Sequence, residues 1–135
     1  DDHEKEGALK SYLYPGVREL VEHLNAFKIP TGIITRNSFA TASLMLKTHN
    51  LHFKHLLSRD NSPAKPSPAP LLNLCNIYNL EPKKAIYIGD FIYDIETAKN
   101  AKTLAGLYLN ETNKELIGQS DVIITCYKKF LASIK

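Results

Sequence analysis

Ala85-Ile86-Tyr87-Ile88-Gly89-Asp90-Phe91-Ile92-Tyr93-Asp94 is a short apolar run that stops at Gly-Asp, with a second aspartate four positions on. A run of this length, rich in β-branched and aromatic residues, reads as a buried strand. Gly89 permits a tight exit where a side chain would crowd a ligand. Asp90 then lies at the carboxyl end of the strand, and Asp94 on the loop or first turn of the next helix. Ligands of open α/β sheets bind at the carboxyl ends of strands, and two carboxylates there suit a hard cation such as Mg²⁺. The same spacing also fits a plainer structure, with Asp90 in a turn and Asp94 favouring the N-terminus of a helix.

Outward from this stretch, strands alternate with helices. Upstream, Pro15 suits a first helical position, and Val17, Leu20, Val21, Leu24 and Phe27 follow helical spacing up to Pro30. Thr31–Thr35 reads as a short buried strand. Asn37 or Ser38 caps a helix over Ala40–Thr48, with Leu44, Met45 and Thr48 turned inward. Phe53, Leu56 and Leu57 mark a third strand. Arg59–Pro70 is a proline-rich loop. Leu71, Leu74, Cys75 and Tyr78 form a helical face. Downstream of the Gly-Asp turn come a helix through Ile95, Ala98 and Ala101 and a strand over Thr103–Leu109. A short helix over Glu111–Ile117 ends at Gly118, and a strand over Asp121–Cys126 precedes a last helix over Lys128–Ile134. Such alternation implies parallel βαβ units. The expected fold is α/β: a Rossmann-like, three-layer α/β/α domain with a mainly parallel sheet. Residues 1–135 read as a single domain with a flexible lead-in over residues 1–12.

Composition narrows the function classes. The 135 residues are 44% hydrophobic and 23% charged, as expected of a soluble globular chain with a real core. The net charge of +3 is spread rather than blocked, which argues against nucleic acid as a partner. No apolar run approaches the roughly 18 residues needed to span a bilayer, and no signal-peptide core is present. Cys75 and Cys126 lack metal-site spacing and read as buried free thiols, which fits a cytoplasmic setting. The five histidines are scattered and form no zinc constellation. Asn110-Glu111-Thr112 matches a glycosylation sequon and is taken as chance without a secretory signal.

Three features fall at strand ends or in the loops after them: Thr35, Lys65, and the pair Asp90 and Asp94. A hydroxyl, an ammonium and two carboxylates are what a phosphate and its Mg²⁺ require. Each has an ordinary reading as well: Thr35 as a β-branched strand residue, Lys65 as a solvated loop lysine.

In order and wording these features resemble the haloacid dehalogenase superfamily of hydrolases, phosphoglycolate-phosphatase-like branch. Gly32-Ile33-Ile34-Thr35 matches its second motif, Lys65-Pro66 its third, and Gly89-Asp90-Phe91-Ile92-Tyr93-Asp94 its fourth. Tyr14-Pro15-Gly16-Val17 resembles the lead-in to the second motif. Ser58-Arg59-Asp60 and Lys65 to Leu72 resemble the third-motif loop. The resemblance covers roughly Leu13–Leu109. It implies Mg²⁺-dependent hydrolysis of a small phosphorylated metabolite through an aspartyl-phosphate intermediate. Thr35, Arg36, Asn37 and Lys65 would hold the phosphoryl group, with Thr35 and Lys65 as catalytic residues. Asp90 would ligate the metal directly, and Asp94 as a second ligand or through water.

The family's first motif, Asp-x-Asp-Gly-Thr after an apolar strand, is not found: Asp1-Asp2-His3-Glu4 has neither the strand nor the pattern. The chain therefore reads as the C-terminal part of a larger enzyme. On this reading the nucleophile is expected to lie outside it, the usual first strand to be missing, and the isolated chain to be inactive. Without that central strand, the Thr35 and Ala85 strands are expected to pair directly or through a strand-swapped, homo-oligomeric contact, because buried open edges carry unpaired backbone groups. The alternatives are a non-catalytic α/β binding module of the same fold and, more distantly, a receiver-like signalling domain.

Overall fold

The computed structural model describes residues 15–58 and 67–134. The expected lead-in over residues 1–12 and most of the third-motif loop, Lys65 included, lie outside them. The chain divides into two compact units, one of Asp1–Ser62 with Tyr127–Lys135 and one of Pro63–Cys126.

In the first unit, α1 (Val17–Ala26) leads to β1 (Ile33–Ile34), α2 (Phe39–Thr48) and β2 (Leu56–Leu57). The strands pair in parallel, Ile33 opposite Leu56 and Ile34 opposite Leu57. Helix α1 starts two residues after Pro15 because Gly16 takes a left-handed turn (φ 87°). A Cβ at Gly16 would come within 3.0 Å of the Lys128 backbone nitrogen, so only glycine combines this φ with so close an approach. Helix α1 also ends early, at Ala26, and Lys28 turns left-handed (φ 57°). The expected inward face therefore breaks off, leaving Leu20 and Val21 buried and Phe27 68% exposed.

Helix α2 begins at Ser38, whose Oγ accepts from the Thr41 backbone N–H, as capping chemistry requires. Its buried face is Thr41, Ala42, Met45 and Leu46, so Leu44 and Thr48 point outward, contrary to expectation. The helix carries apolar residues on more than one side, and periodicity alone does not pick the inner one. Val21, Met45, Leu46 and Leu51 form the core of this unit, with Val17, Ile33, Phe53 and Leu56 packed against them.

In the second unit, α3 (Ala69–Ile77) buries Pro70, Leu71, Leu74 and Cys75. After a single 3₁₀ turn at Pro82–Lys84 come β3 (Ile86–Gly89), α4 (Ile92–Ala101), β4 (Leu104–Tyr108), a 3₁₀ stretch at Lys114–Gln119 and β5 (Val122–Ile124). The strands form a parallel sheet in the order β3-β4-β5. Asp121 locks the β4–β5 start, its backbone N–H donating to the Ala105 carbonyl and its Oδ2 accepting from the Ala105 N–H, both at 2.8 Å. Ile95 and Ala98 of α4 pack on Ala105 and Leu107 of β4, with Leu116 completing a fully apolar core. Small residues at Ala98 and Ala105 let helix and sheet approach closely. The last helix, α5 (Tyr127–Ile134), packs on α1 of the first unit.

The α/β class with parallel strands agrees with the sequence reading. Direct pairing of the Thr35 and Ala85 strands does not: among the described residues the strands form two hydrogen-bonded sheets. The bonds of β1 run to β2, from Ile33 N–H to the His55 carbonyl and from Thr35 N–H to the Leu57 carbonyl. Those of β3 run to β4. Each strand satisfies one edge within its own unit. No helix among the described residues is long and apolar enough to cross a membrane.

Candidate functional site

The Gly-Asp turn is built by Asp94. Helix α4 opens at Ile92, which makes Asp94 its third residue. From there its Oδ2 reaches back to accept from the backbone N–H groups of Asp90 and Phe91, each at 3.2 Å. A helix start leaves N–H groups without intrahelical partners, and an anionic acceptor at this point also favours the helix dipole. Asp94 is only 7% exposed. On its other side Oδ1 lies 3.5 Å from the Tyr87 hydroxyl. Burial, with the Asp94 carboxylate beside it, pushes the Tyr87 phenol far above its ordinary range. Tyr87 is thus a neutral donor at physiological pH.

Gly89 serves this turn in a different way from the sequence expectation. A Cβ on Gly89 would collide with the Asp94 side chain; the space it leaves open is taken by that carboxylate and not by a ligand. Because Asp94 is pinned by two N–H bonds, it cannot move aside cheaply. Gly89→Ala is expected to lower stability by about 1–3 kcal/mol, the usual cost of overpacking. Urea denaturation checks this, and an unchanged midpoint would show that the turn is softer than its hydrogen bonds imply.

Asp90, half-buried, follows the end of β3. Its backbone carbonyl accepts from Asn113 Nδ2 at 2.9 Å. Asn113 is 3% exposed and was not singled out by sequence reasoning; the only signal near it was the Asn110-Glu111-Thr112 sequon.

In the first unit, Thr35 stands directly after β1, half-buried, and its Oγ1 accepts from the Asn37 backbone N–H at 3.1 Å. That bond shapes the turn into α2. It also engages the Asn37 N–H, one of the groups expected to face a phosphate, while leaving the hydroxyl hydrogen of Thr35 able to donate. Arg36 is exposed. The structure thus brings Asp90 together with Asp94, and Thr35 with Asn37; Lys65 lies outside the described residues. Neither Cys75, which is buried, nor Cys126, which is half-buried, is in a disulfide.

Among the described residues no group of three or more His, Cys, Asp or Glu side chains converges on a point. Two carboxylates are nonetheless a fitting donor set for Mg²⁺, which keeps several waters and takes one or two carboxylates together with substrate phosphate. Oxygen donors without thiolate or imidazole also match the preference of Mg²⁺ and Mn²⁺.

Residues 1–106 match the family model for haloacid dehalogenase-like hydrolases. A haloacid dehalogenase-like hydrolase domain-containing protein of Arabidopsis thaliana is 34% identical over 114 residues, covering 84% of this chain and 46% of the relative. A phosphoglycolate phosphatase of Psychrobacter arcticus is 34% identical over 104 residues, covering 75% and 45%. Among solved structures, a HAD phosphatase from Thermococcus onnurineus superposes with a TM-score of 0.79 at 23% identity, over 90% of this chain and 57% of that one. A HAD-superfamily hydrolase from Ehrlichia chaffeensis gives 0.75 at 24%, over 90% and 57%. These two speak for the Rossmann-like fold alone. The chain spans about half the length of the curated relatives it matches. With the family model covering most of the sequence, and with its Gly-Asp turn formed at the end of a parallel strand, the chain belongs to the haloacid dehalogenase-like hydrolases.

Proposed function

We propose that this chain supplies the phosphate- and Mg²⁺-binding part of a phosphatase acting on a small phosphorylated metabolite. The observation that carries the reading is the Gly89–Asp94 turn, in which a buried Asp94 holds the backbone of Asp90 at the carboxyl end of β3. The phosphoglycolate phosphatases among its relatives support the substrate class.

In this reading Asp90 ligates the cation, and Asp94 contributes through water while it holds the turn. Thr35 donates its hydroxyl hydrogen to a phosphoryl oxygen, with the backbone of Arg36 and Asn37 lining the same turn. Lys65 offsets the negative charge that builds up during transfer. Mg²⁺, when bound, supplies Lewis-acid stabilisation of that charge. The nucleophile that forms the aspartyl-phosphate comes from an Asp-x-Asp segment outside these residues. Its strand pairs with the second edge of β3, an edge strand of its sheet among the described residues. No Asp-x-Asp occurs in these 135 residues; the second reading is a non-catalytic binding module of the same fold, and an Asp-x-Asp-Gly-Thr upstream in the gene would favour the enzyme over it.

Mn²⁺ serves as a paramagnetic stand-in for Mg²⁺, since both suit carboxylate and water ligands. Titrated into the ¹⁵N-labelled chain, it is expected to broaden the amide signals of Gly89, Asp90 and Phe91 first. Asp90→Asn should remove that broadening. Broadening elsewhere, or the same broadening in Asp90→Asn, would take the cation away from this turn.

A further inference from the structure

We infer that Asn113 is a positioning residue for Asp90, an inference that rests on the metal-binding reading of the turn. Both protons and the oxygen of its side-chain amide are engaged. Nδ2 donates to the Asp90 carbonyl at 2.9 Å and to the Tyr108 carbonyl at 3.0 Å. Oδ1 accepts from the Asn110 backbone N–H at 2.9 Å. One buried side chain therefore ties three pieces of backbone together: the exit of β3, the end of β4, and the loop that carries Asn113 itself.

The Asp90 turn is held from two sides. Asp94 fixes the N–H of Asp90 from within α4, and Asn113 fixes its carbonyl from 23 residues away. With both backbone groups of Asp90 bonded, the peptide planes on either side of its Cα have little room to rotate, and the direction in which its side chain leaves the backbone is set before any cation arrives. Preorganisation of this kind is what outer hydrogen-bond partners give to metal ligands, and losing one costs about 10–100-fold in affinity. Neither serine nor aspartate can replace the amide. Serine is too short to span two carbonyls, and an ionised aspartate has no proton to donate.

Asn113 touches neither cation nor substrate in this account, so a purely architectural part must be distinguished. Asn110 provides the control: its Oδ1 accepts from the N–H and hydroxyl of Thr112 in the same loop, both at 2.8 Å, without reaching Asp90. The experiment is the Mn²⁺ titration of the ¹⁵N-labelled chain, carried out on wild type, Asn113→Ser, Asn113→Asp and Asn110→Ala. The expected result is a midpoint for Asp90 and Phe91 broadening about tenfold higher in both Asn113 variants, with folded signal dispersion kept and Asn110→Ala unchanged. Asn113→Asp is the stricter variant, because its added negative charge would by itself favour a cation. It also keeps the side-chain volume and is read if Asn113→Ser fails to fold. Equal midpoints in wild type and the Asn113 variants would overturn the inference and leave the metal reading standing. An equal loss in Asn110→Ala would overturn it too, by showing that any loosening of the loop suffices. Absence of broadening at Asp90 in wild type would end the metal reading, and the inference with it.

Discussion

Given Mg²⁺ and p-nitrophenyl phosphate, the 135-residue chain alone is expected to show no turnover above background. Lewis-acid and hydrogen-bond stabilisation accelerate a transfer only when a nucleophile is already poised for attack. The Asp-x-Asp pattern that supplies one in this family is not present in the sequence. Asp60 is no substitute, because it falls in the segment that resembles the third-motif loop. Clear turnover that is lost in Asp90→Asn would show that the chain carries a nucleophile of its own. In a longer form that does turn over phosphate monoesters, Lys65→Ala should lower kcat by roughly 10²–10³-fold, the scale on which one donor to a developing charge acts. An unchanged kcat would remove Lys65 from the site.

The fourth motif was legible in the sequence because everything it needs is local. Strand, glycine, aspartate and helix cap fall within ten residues, and each residue type has a reason to be where it is. The same holds for the Ser38 cap. Two errors at helix level have causes that composition does not announce, a backbone event in one helix and packing in the other. Left-handed turns at Gly16 and Lys28 shorten α1 at both ends and strand Phe27 outside it. In α2, Leu44, Met45 and Leu46 stand in sequence, and only packing against Val21 and Leu51 decides that the last two face inward. Asn113 could not have been found by spacing at all. Its partner is 23 residues away and its bond is to a backbone carbonyl, so nothing in the identity of either residue marks the pair. Of the two ways offered for closing the open edges, direct pairing is not seen, because β1 and β3 each meet one neighbour inside their own units.

The two readings of Asp94, helix-cap residue and metal partner, make different demands on the same side chain, and the structure lets them be weighed by substitution. As a cap it accepts two backbone N–H bonds while buried. Asp94→Ala leaves both donors without this acceptor at the start of α4 and opens a gap beside Gly89, for an expected loss of about 2–3 kcal/mol. Asp94→Asn keeps one oxygen for the two donors but gives up the charge, for an expected loss of about 1 kcal/mol. Helix α4 lies against both β3 and β4, and its Ile95 and Ala98 sit in the apolar core. A loosened first turn therefore weakens the packing of the whole second unit and not merely one helix end. Asp90→Asn makes the opposite demand. Its backbone bonds survive, so stability should stay within about 0.5 kcal/mol of wild type while Mn²⁺ broadening is lost. Urea denaturation and the Mn²⁺ titration, applied to the same three variants, separate the roles. If Asp90→Asn destabilises the chain as much as Asp94→Ala, Asp90 is a structural turn residue and the metal assignment loses its main ligand. If Asp94→Asn keeps most of the stability yet abolishes broadening, Asp94 holds the cation as well as the turn.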